Sequence, residues 1–427
     1  MEVGIAFIIG LVSSLLLTPF AIRTAEIMRI LDRADGIRKF QKKPIPALGG
    51  IAVTGALIAA CIHVVSLPHA PDDLTLLGAM LCSIIMMSIL GMIDDRVGFR
   101  PKTKLLGQVL IVLPTIYVVG PIDTVVLFHC NIPSGFLAYP ITIFWFLAVV
   151  NAMNLIDGMD GLASLSGLLS ALGIAFVSAI HFQNVPFVAT VALAGTLVGF
   201  LLFNLPKAKI YLGDCGSMSI GLILATVSMR MSPTSGVLYL TPAVLCLFLP
   251  FYDTFLAILR RGISGKNIAS GDTGHVHHRL LQQGYTVWEA LGTLGTVQLF
   301  FVVLGCCSVL QHYEWISWIS ALMMVYWCAR YRFMGQNEWK QLYLLFHVLL
   351  KRCPKKVVSP ANPVVAASTA NVQTGELPLA GRKGKAKKKK EPSMTAVQEA
   401  RLPMLEEIRL YPIDDPVSTC GGKPKAA

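Results

Sequence analysis

The chain is poor in charge. Only 14% of its 427 residues are Asp, Glu, Lys or Arg, whereas 54% are hydrophobic. Soluble domains carry roughly 25% charged residues, so the composition excludes an ordinary soluble protein and predicts a polytopic membrane protein. Its ten cysteines are scattered and include no Cys-x-x-Cys, which argues against a zinc ribbon or a disulfide framework. No internal repeat is visible. No small-residue cleavage site follows the first apolar run, so that run is read as an uncleaved span. The net charge of +12 lies in loops and in the tail. In a membrane chain such charge sets orientation and attracts anionic lipid rather than nucleic acid.

What the chain has in abundance is long apolar runs. Stretches long enough to cross a bilayer fall near 3–23, 49–67, 75–93, 104–122, 140–155, 162–181, 186–204, 216–233, 237–258, 289–310 and 313–331. The expected fold is therefore all-α and polytopic, with about eleven transmembrane helices and catalytic cytoplasmic loops. Lys and Arg are missing from the gaps 68–74, 123–139, 182–185 and 311–312, and they crowd the alternate gaps. Positive loops stay in the cytoplasm, which puts the N-terminus outside and the C-terminus inside. The outer segment 123–139 has the pattern of a short hairpin.

Three regions are expected. Residues 1–331 form a transmembrane catalytic domain and 332–353 an amphipathic helix on the inner membrane surface. Residues 354–427, with a run of lysines at 387–390, form a disordered basic cytoplasmic tail. That tail reads as a solvated, charge-orienting segment, or as a contact for anionic lipid or a partner.

The polar motifs all fall in the positive gaps. Asp94 and Asp95 close the third run. Adjacent carboxylates repel, so a metal, a lysine or a proton must relieve them; Lys104 and Gln108 follow nearby. The fifth run ends in Asn151-Ala152-Met153-Asn154-Leu155-Ile156-Asp157-Gly158-Met159-Asp160-Gly161. Asn151 and Asn154 share a helical face and Asp157 extends the row. Lys209 precedes Gly213-Asp214-Cys215-Gly216-Ser217, a hard carboxylate in a glycine turn at a helix start. Such oxygen donors suit Mg²⁺ and a phosphorylated ligand. Taken singly, each motif also fits a polar turn or a helix cap. Arg260 and Arg261 close the ninth run, and His275, His277 and His278 follow. The i, i+2, i+3 spacing of the histidines is not a familiar zinc pattern, whereas donors and fixed cations fit a pyrophosphate.

Together these segments resemble the polyprenyl-phosphate N-acetylhexosamine-1-phosphate transferases. The resemblance rests on Arg38, Lys39, Pro44, Pro46, Gly49 and Gly50; on Asp94, Asp95, Lys104 and Gln108; on the full Asn/Asp motif; and on Gly213-Asp214-Cys215-Gly216-Ser217. His275-Val276-His277-His278, in place of three consecutive histidines, resembles the branch that uses UDP-GlcNAc rather than the phospho-MurNAc-pentapeptide branch. Gln41, Ala34 and Leu165 depart from the family pattern.

The resemblance implies transfer of GlcNAc-1-phosphate from UDP-GlcNAc to undecaprenyl phosphate, releasing UMP. It implies a bacterial inner membrane, a cytoplasmic active site, Mg²⁺ with Mn²⁺ as a substitute, membrane lipid around the chain, and a homodimer. The same chemistry on another UDP-N-acetylhexosamine or on UDP-MurNAc-pentapeptide is the nearest alternative. By the same resemblance, Asp214 is the principal metal ligand, with Asn154 or Asp157 assisting. Asp94, paired with Asp95, orients or deprotonates the acceptor phosphate, and Lys104 and Lys39 hold it. Asp157 and Asp160 serve the uridine. The three histidines, Arg260 and Arg261 bind sugar and pyrophosphate, with Asn151 and Lys209 lining the substrate site. A transporter would place its charges near the midplane and often show repeats, neither of which is seen here.

Overall fold

The computed structural model describes residues 2–32, 44–65, 71–263, 274–310 and 314–330. The described residues form helices α1 (Glu2–Met28), α2 (Gly49–Val65), α3 (Pro71–Val97), α4 (Pro101–Val119), α5 (Ala138–Ile156), α6 (Leu162–Ile180) and α7 (Asn184–Asn204). They continue with α8 (Gly213–Arg230), α9 (Leu240–Cys246), α10 (Phe248–Ile263), α11 (Val276–Gln282), α12 (Val287–Leu310) and α13 (Glu314–Arg330). The expected surface helix at 332–353 and the basic tail lie outside the described residues.

Among the described residues, seven helices are long and apolar enough to cross a membrane: α1, α3, α4, α5, α6, α7 and α12. The pair α9 and α10, bent by 83°, passes the same test only when taken together, which gives eight if the pair is one span. The fold is thus the expected all-α polytopic one, with seven or eight spans by length and composition against the eleven expected. The other three coincide in position with α2, α8 and α13. The apolar part of α2 covers only Gly49–His63, α13 has 17 residues, and α8 carries Asp214 and Arg230 in its first and last turns.

The bend at Leu247 interrupts a helical ladder inside apolar surroundings, where an unmet backbone group costs several kcal/mol, on the order of 2–7. Gln298, fully buried on α12, meets that need. Its Oε1 accepts from Leu249 N at 2.9 Å, and its Nε2 donates to Cys246 O at 2.8 Å and to Ser170 Oγ at 3.1 Å. One glutamine amide therefore holds both sides of the break.

Small strands occupy three inter-helix segments. Strands β1 (Leu31–Asp32) and β2 (Ile45–Pro46) pair antiparallel. Strands β3 (Thr124–Leu127) and β4 (Cys130–Pro133) form the hairpin expected in 123–139, turning through Phe128 and His129 at positive φ. Strand β5 (Val237–Tyr239) joins β3 in parallel. Glu314 accepts from Phe128 N and from Thr241 Oγ1, both at 2.9 Å, and so ties the hairpin turn to α9 and α13.

Helix α8 is the axis of the bundle. Every residue from Cys215 to Met229 is buried, and α8 packs against α2 through α7. Close approach is permitted by glycines on its neighbours. A Cβ on Gly50 of α2 would strike the backbone at Cys215 and Gly216, and one on Gly91 of α3 would strike it at Asp214 and Cys215. Without a hydrophobic drive between helices in lipid, such small-residue contacts set how tightly they pack. The glycines therefore fix where α8 begins, and with it Asp214.

Gly91→Ala should overpack this seam and lower stability by about 1–3 kcal/mol, seen as a lower thermal midpoint of the detergent-solubilised chain. Gly78→Ala on the same helix, where a Cβ meets nothing within 4 Å, should leave the midpoint unchanged or slightly raised. Equal effects of the two would contradict the seam.

Candidate active site

The site begins where α3 ends. Successive helical side chains diverge by about 100°, so Asp94 and Asp95 point to different partners. Asp95 turns to the start of α8, where Oδ1 accepts from Asp214 N at 3.0 Å and Oδ2 from Cys215 N at 3.3 Å. It satisfies two of the unpaired donors at that helix N-terminus. Asp94, 8% exposed, accepts from Phe99 N at 2.6 Å through Oδ1. Gly98, at φ 68°, lets the chain turn back for this contact. The other oxygen of Asp94 lies 2.9 Å from Lys104 Nζ. A lysine and three backbone N–H groups thus relieve the repulsion of the pair.

Lys104 projects from the first turn of α4. Its ammonium contacts Asp94, donates to Asn154 Oδ1 at 3.0 Å and forms a short ion pair with Asp214 Oδ2. The amide of Asn154 is used on both sides, since Nδ2 donates to Asp214 Oδ1 at 2.8 Å and to Ser217 Oγ at 3.0 Å. Asn151, one turn earlier on α5, makes a reciprocal amide pair with Gln108 of α4, with bonds of 2.8 and 3.3 Å. Asn151 therefore pins α5 to α4, and Asn154 pins α5 to α8.

A second acidic patch borders this centre. Asp157 caps α5. Asp160 receives the Lys207 and Ala208 N–H groups on Oδ2, each at 3.1 Å, tying the Asn/Asp turn to the loop before α8. Burial, with Asp160, Asp32 and Asp157 nearby, pushes the Tyr211 hydroxyl well above the usual phenol range. Asn204, buried, donates to Ile210 O at 2.9 Å and accepts from Ser164 Oγ at 2.8 Å, closing the same loop. Lys209 is exposed, with Nζ 6.0 Å from the centre of the Phe203 ring.

The histidines converge from α11. Asp253 of α10, wholly buried, lies 2.7 Å from His275 Nδ1 and accepts from Val276 N at 3.0 Å, so it both orients that ring and caps α11. His277, 1% exposed, has no hydrogen-bond partner at either ring nitrogen among the described residues. Burial first, then His278 and His275, push its pKa down to about 3, leaving a neutral imidazole at neutral pH. Its ring lies over Gly158, where a Cβ would come 2.5 Å from Nε2. The histidine cluster and the Asn/Asp motif are therefore in contact. The rings of His277 and His278 are 4.2 Å apart. Arg260 and Arg261 occupy the last turn of α10, and Arg260 packs against Gly274. The structure thus gathers Asp94, Asn154, Lys104 and Asp214 at one point and sets Asp157, Asp160 and the histidines around it. Lys39 lies outside the described residues.

Asp253 is absent from the candidate site residues, although a carboxylate inside the apolar run 248–258 is the kind of costly residue that marks function. Ser217 is marked by the Gly213–Ser217 motif, and Asn204 and Tyr211 lie in the polar segment that leads into it. Asp253→Asn keeps one acceptor but removes the charge facing His275. Turnover should fall about ten- to a hundredfold, some 1.4–2.8 kcal/mol in barrier, with little change in thermal midpoint. Unchanged turnover would separate His275 from the reaction.

Comparison with known proteins places this geometry in a family. Residues 77–232 match the family model for glycosyl transferase family 4. A probable undecaprenyl-phosphate N-acetylglucosaminyl 1-phosphate transferase of Bacillus subtilis is 30% identical over 66% of this chain and 78% of its own length. A decaprenyl-phosphate N-acetylglucosaminephosphotransferase of Mycobacterium tuberculosis is 36% identical over 57% of this chain and 67% of its own. A phospho-N-acetylmuramoyl-pentapeptide-transferase of Desulforudis audaxviator is 28% identical over 72% and 96%. The chain belongs to glycosyl transferase family 4, the family its motifs resemble.

Proposed function

We propose that this chain transfers GlcNAc-1-phosphate from UDP-GlcNAc to undecaprenyl phosphate on the cytoplasmic side of a bacterial inner membrane, as the first membrane step of a cell-envelope glycan. The observation that carries the reading is the meeting of Asp94, Asn154, Lys104 and Asp214 at one point among membrane-spanning helices. Both substrates are anions, and the transferred phosphoryl group needs positioning and charge neutralisation more than covalent chemistry.

In this reading an oxygen of the lipid phosphate attacks the β-phosphorus of the nucleotide sugar. The bond from that phosphorus to the bridging oxygen breaks, and UMP leaves. The acceptor phosphate is largely ionised at neutral pH, so Asp94 acts mainly to orient it beside Lys104. Asp157 and Asp160 border the nucleotide, while His275, His277, His278, Arg260 and Arg261 take the sugar and pyrophosphate.

The donor set suits Mg²⁺. It is made of hard oxygens, and among the described residues no three His, Cys, Asp or Glu side chains form a ready-made metal cage. Mg²⁺ is commonly held by one or two carboxylates together with substrate phosphates and water. Asp214 is the residue that would hold it, with Asp157, at the C-cap of α5, as the assisting carboxylate. Asn154 presents its N–H group to Asp214 and so orients that carboxylate. When bound, the metal supplies charge neutralisation of the pyrophosphate.

The test is an assay on the purified full chain with undecaprenyl phosphate, Mg²⁺ and UDP-GlcNAc labelled in the sugar. Label should enter the organic phase, depend on Mg²⁺ and be reversed by UMP. Asp214→Ala should lower turnover by at least about a thousandfold while the protein still folds and inserts. Label transferred only from UDP-GalNAc or UDP-MurNAc-pentapeptide would keep the family and correct the donor; near-normal turnover in Asp214→Ala would remove the metal assignment.

A further inference from the structure

The Lys104 ammonium sits among three oxygen acceptors brought by three different helices: Asp94 Oδ2 at 2.9 Å, Asn154 Oδ1 at 3.0 Å, and Asp214 Oδ2. Both carboxylates are substantially withdrawn from water, with side chains 8% and 30% exposed, and the lysine is 16% exposed. That arrangement is the environment of a bound cation, supplied here by the chain itself. Asp214 has no idle oxygen, since Oδ1 takes Asn154 Nδ2 and Oδ2 takes the ammonium.

We infer that Lys104 is a placeholder cation. It holds the two carboxylates assembled when no metal is bound, and it is displaced from Asp214 when a divalent ion arrives. The inference rests on the reading of Asp214 as the metal ligand. A divalent ion and an ammonium cannot both sit against one carboxylate oxygen without strong repulsion at low local dielectric. The ion wins through its double charge and through the substrate phosphates it brings. The released ammonium keeps its contact with Asp94 and turns its remaining donors to the acceptor phosphate. Metal arrival and acceptor capture are thereby coupled through one side chain, and Lys104 is offered to the lipid phosphate only when the donor's metal is in place. Two carboxylates against one ammonium leave a net negative centre, which still attracts the incoming metal.

Two measurements on the full chain in detergent test this, with Mn²⁺ alone as the probe in the first. Lys104→Met should bind Mn²⁺ at least about tenfold more tightly than the wild-type chain, followed by electron paramagnetic resonance, whether or not wild-type binding is itself detectable. Asp214→Ala should not bind it. Lys104→Met should also lose thermal stability in chelator and regain it with Mg²⁺ to a greater degree than wild type. Affinity in Lys104→Met equal to or weaker than wild type, with Asp214→Ala still silent, would overturn the placeholder and leave the metal assignment intact. Undiminished binding by Asp214→Ala would overturn both.

The second measurement needs no variant and is independent of how well Lys104→Met folds. Acetylation of wild-type Lys104 by acetic anhydride, read by mass spectrometry, should rise several-fold on adding Mg²⁺ relative to Lys102 in the same chain. No change relative to Lys102 would contradict displacement.

Discussion

One lysine keeps two carboxylates together at the edge of a membrane. Asp94 and Asp214 belong to α3 and α8, and each would be costly to hold charged in poorly hydrated surroundings. The Lys104 ammonium, arriving from α4, neutralises part of that charge and fixes both carboxylates beside Asn154 of α5. Most of the remaining architecture serves this meeting point. Gly50 and Gly91 let α2 and α3 press against the first turn of α8. Asp95 holds the N-terminal backbone of that helix, so its role is exerted through the placement of Asp214. Gln108 and Asn151 lock α4 to α5.

The second half of the site uses a different device. A span that breaks at Leu247 redirects α10, and the break persists because Gln298 meets the exposed backbone groups. The redirected helix carries Asp253, which orders His275 and starts α11. The short helix then lays His277 over Gly158, bringing the segment that carries the histidines against the Asn/Asp motif. A buried imidazole with two unmet nitrogens carries a desolvation cost that a bound hydrogen-bonding partner would offset.

The sequence makes the class of fold and the membership of the site legible, because both depend on strong local signals. Apolar run length marks the helices, and ionisable residues at the ends of those runs stand out against a chain with little charge. The hairpin at 124–133 is similarly marked by its β-branched run and turn residues. The roles within the site are less legible. Asp94 and Asp95 are adjacent and chemically identical, and only the helical rotation between them sends one to Lys104 and the other to a helix N-terminus. Asn154 is expected from the resemblance to assist the metal; here its Nδ2 donates to Asp214 and its Oδ1 accepts from Lys104, an orientation that no sequence pattern specifies. Seven or eight of the described helices meet the length and hydropathy of a span, and the expected eleven differ from these where composition and geometry part. The ninth run bends by 83° because Pro250 has no N–H to return to Cys246 O, and the distant Gln298 takes that carbonyl instead. Helix α8 is buried by neighbouring helices rather than by lipid, so it needs less hydropathy than a peripheral span.

The most direct test of the account is a structure of the full chain with Mg²⁺ and a non-hydrolysable analogue of UDP-GlcNAc. Asp214 should hold the metal beside the pyrophosphate, with the uridine toward Asp157 and Asp160 and the sugar toward His277. A pyrophosphate seated away from Asp214, or a metal held by other residues, would contradict it.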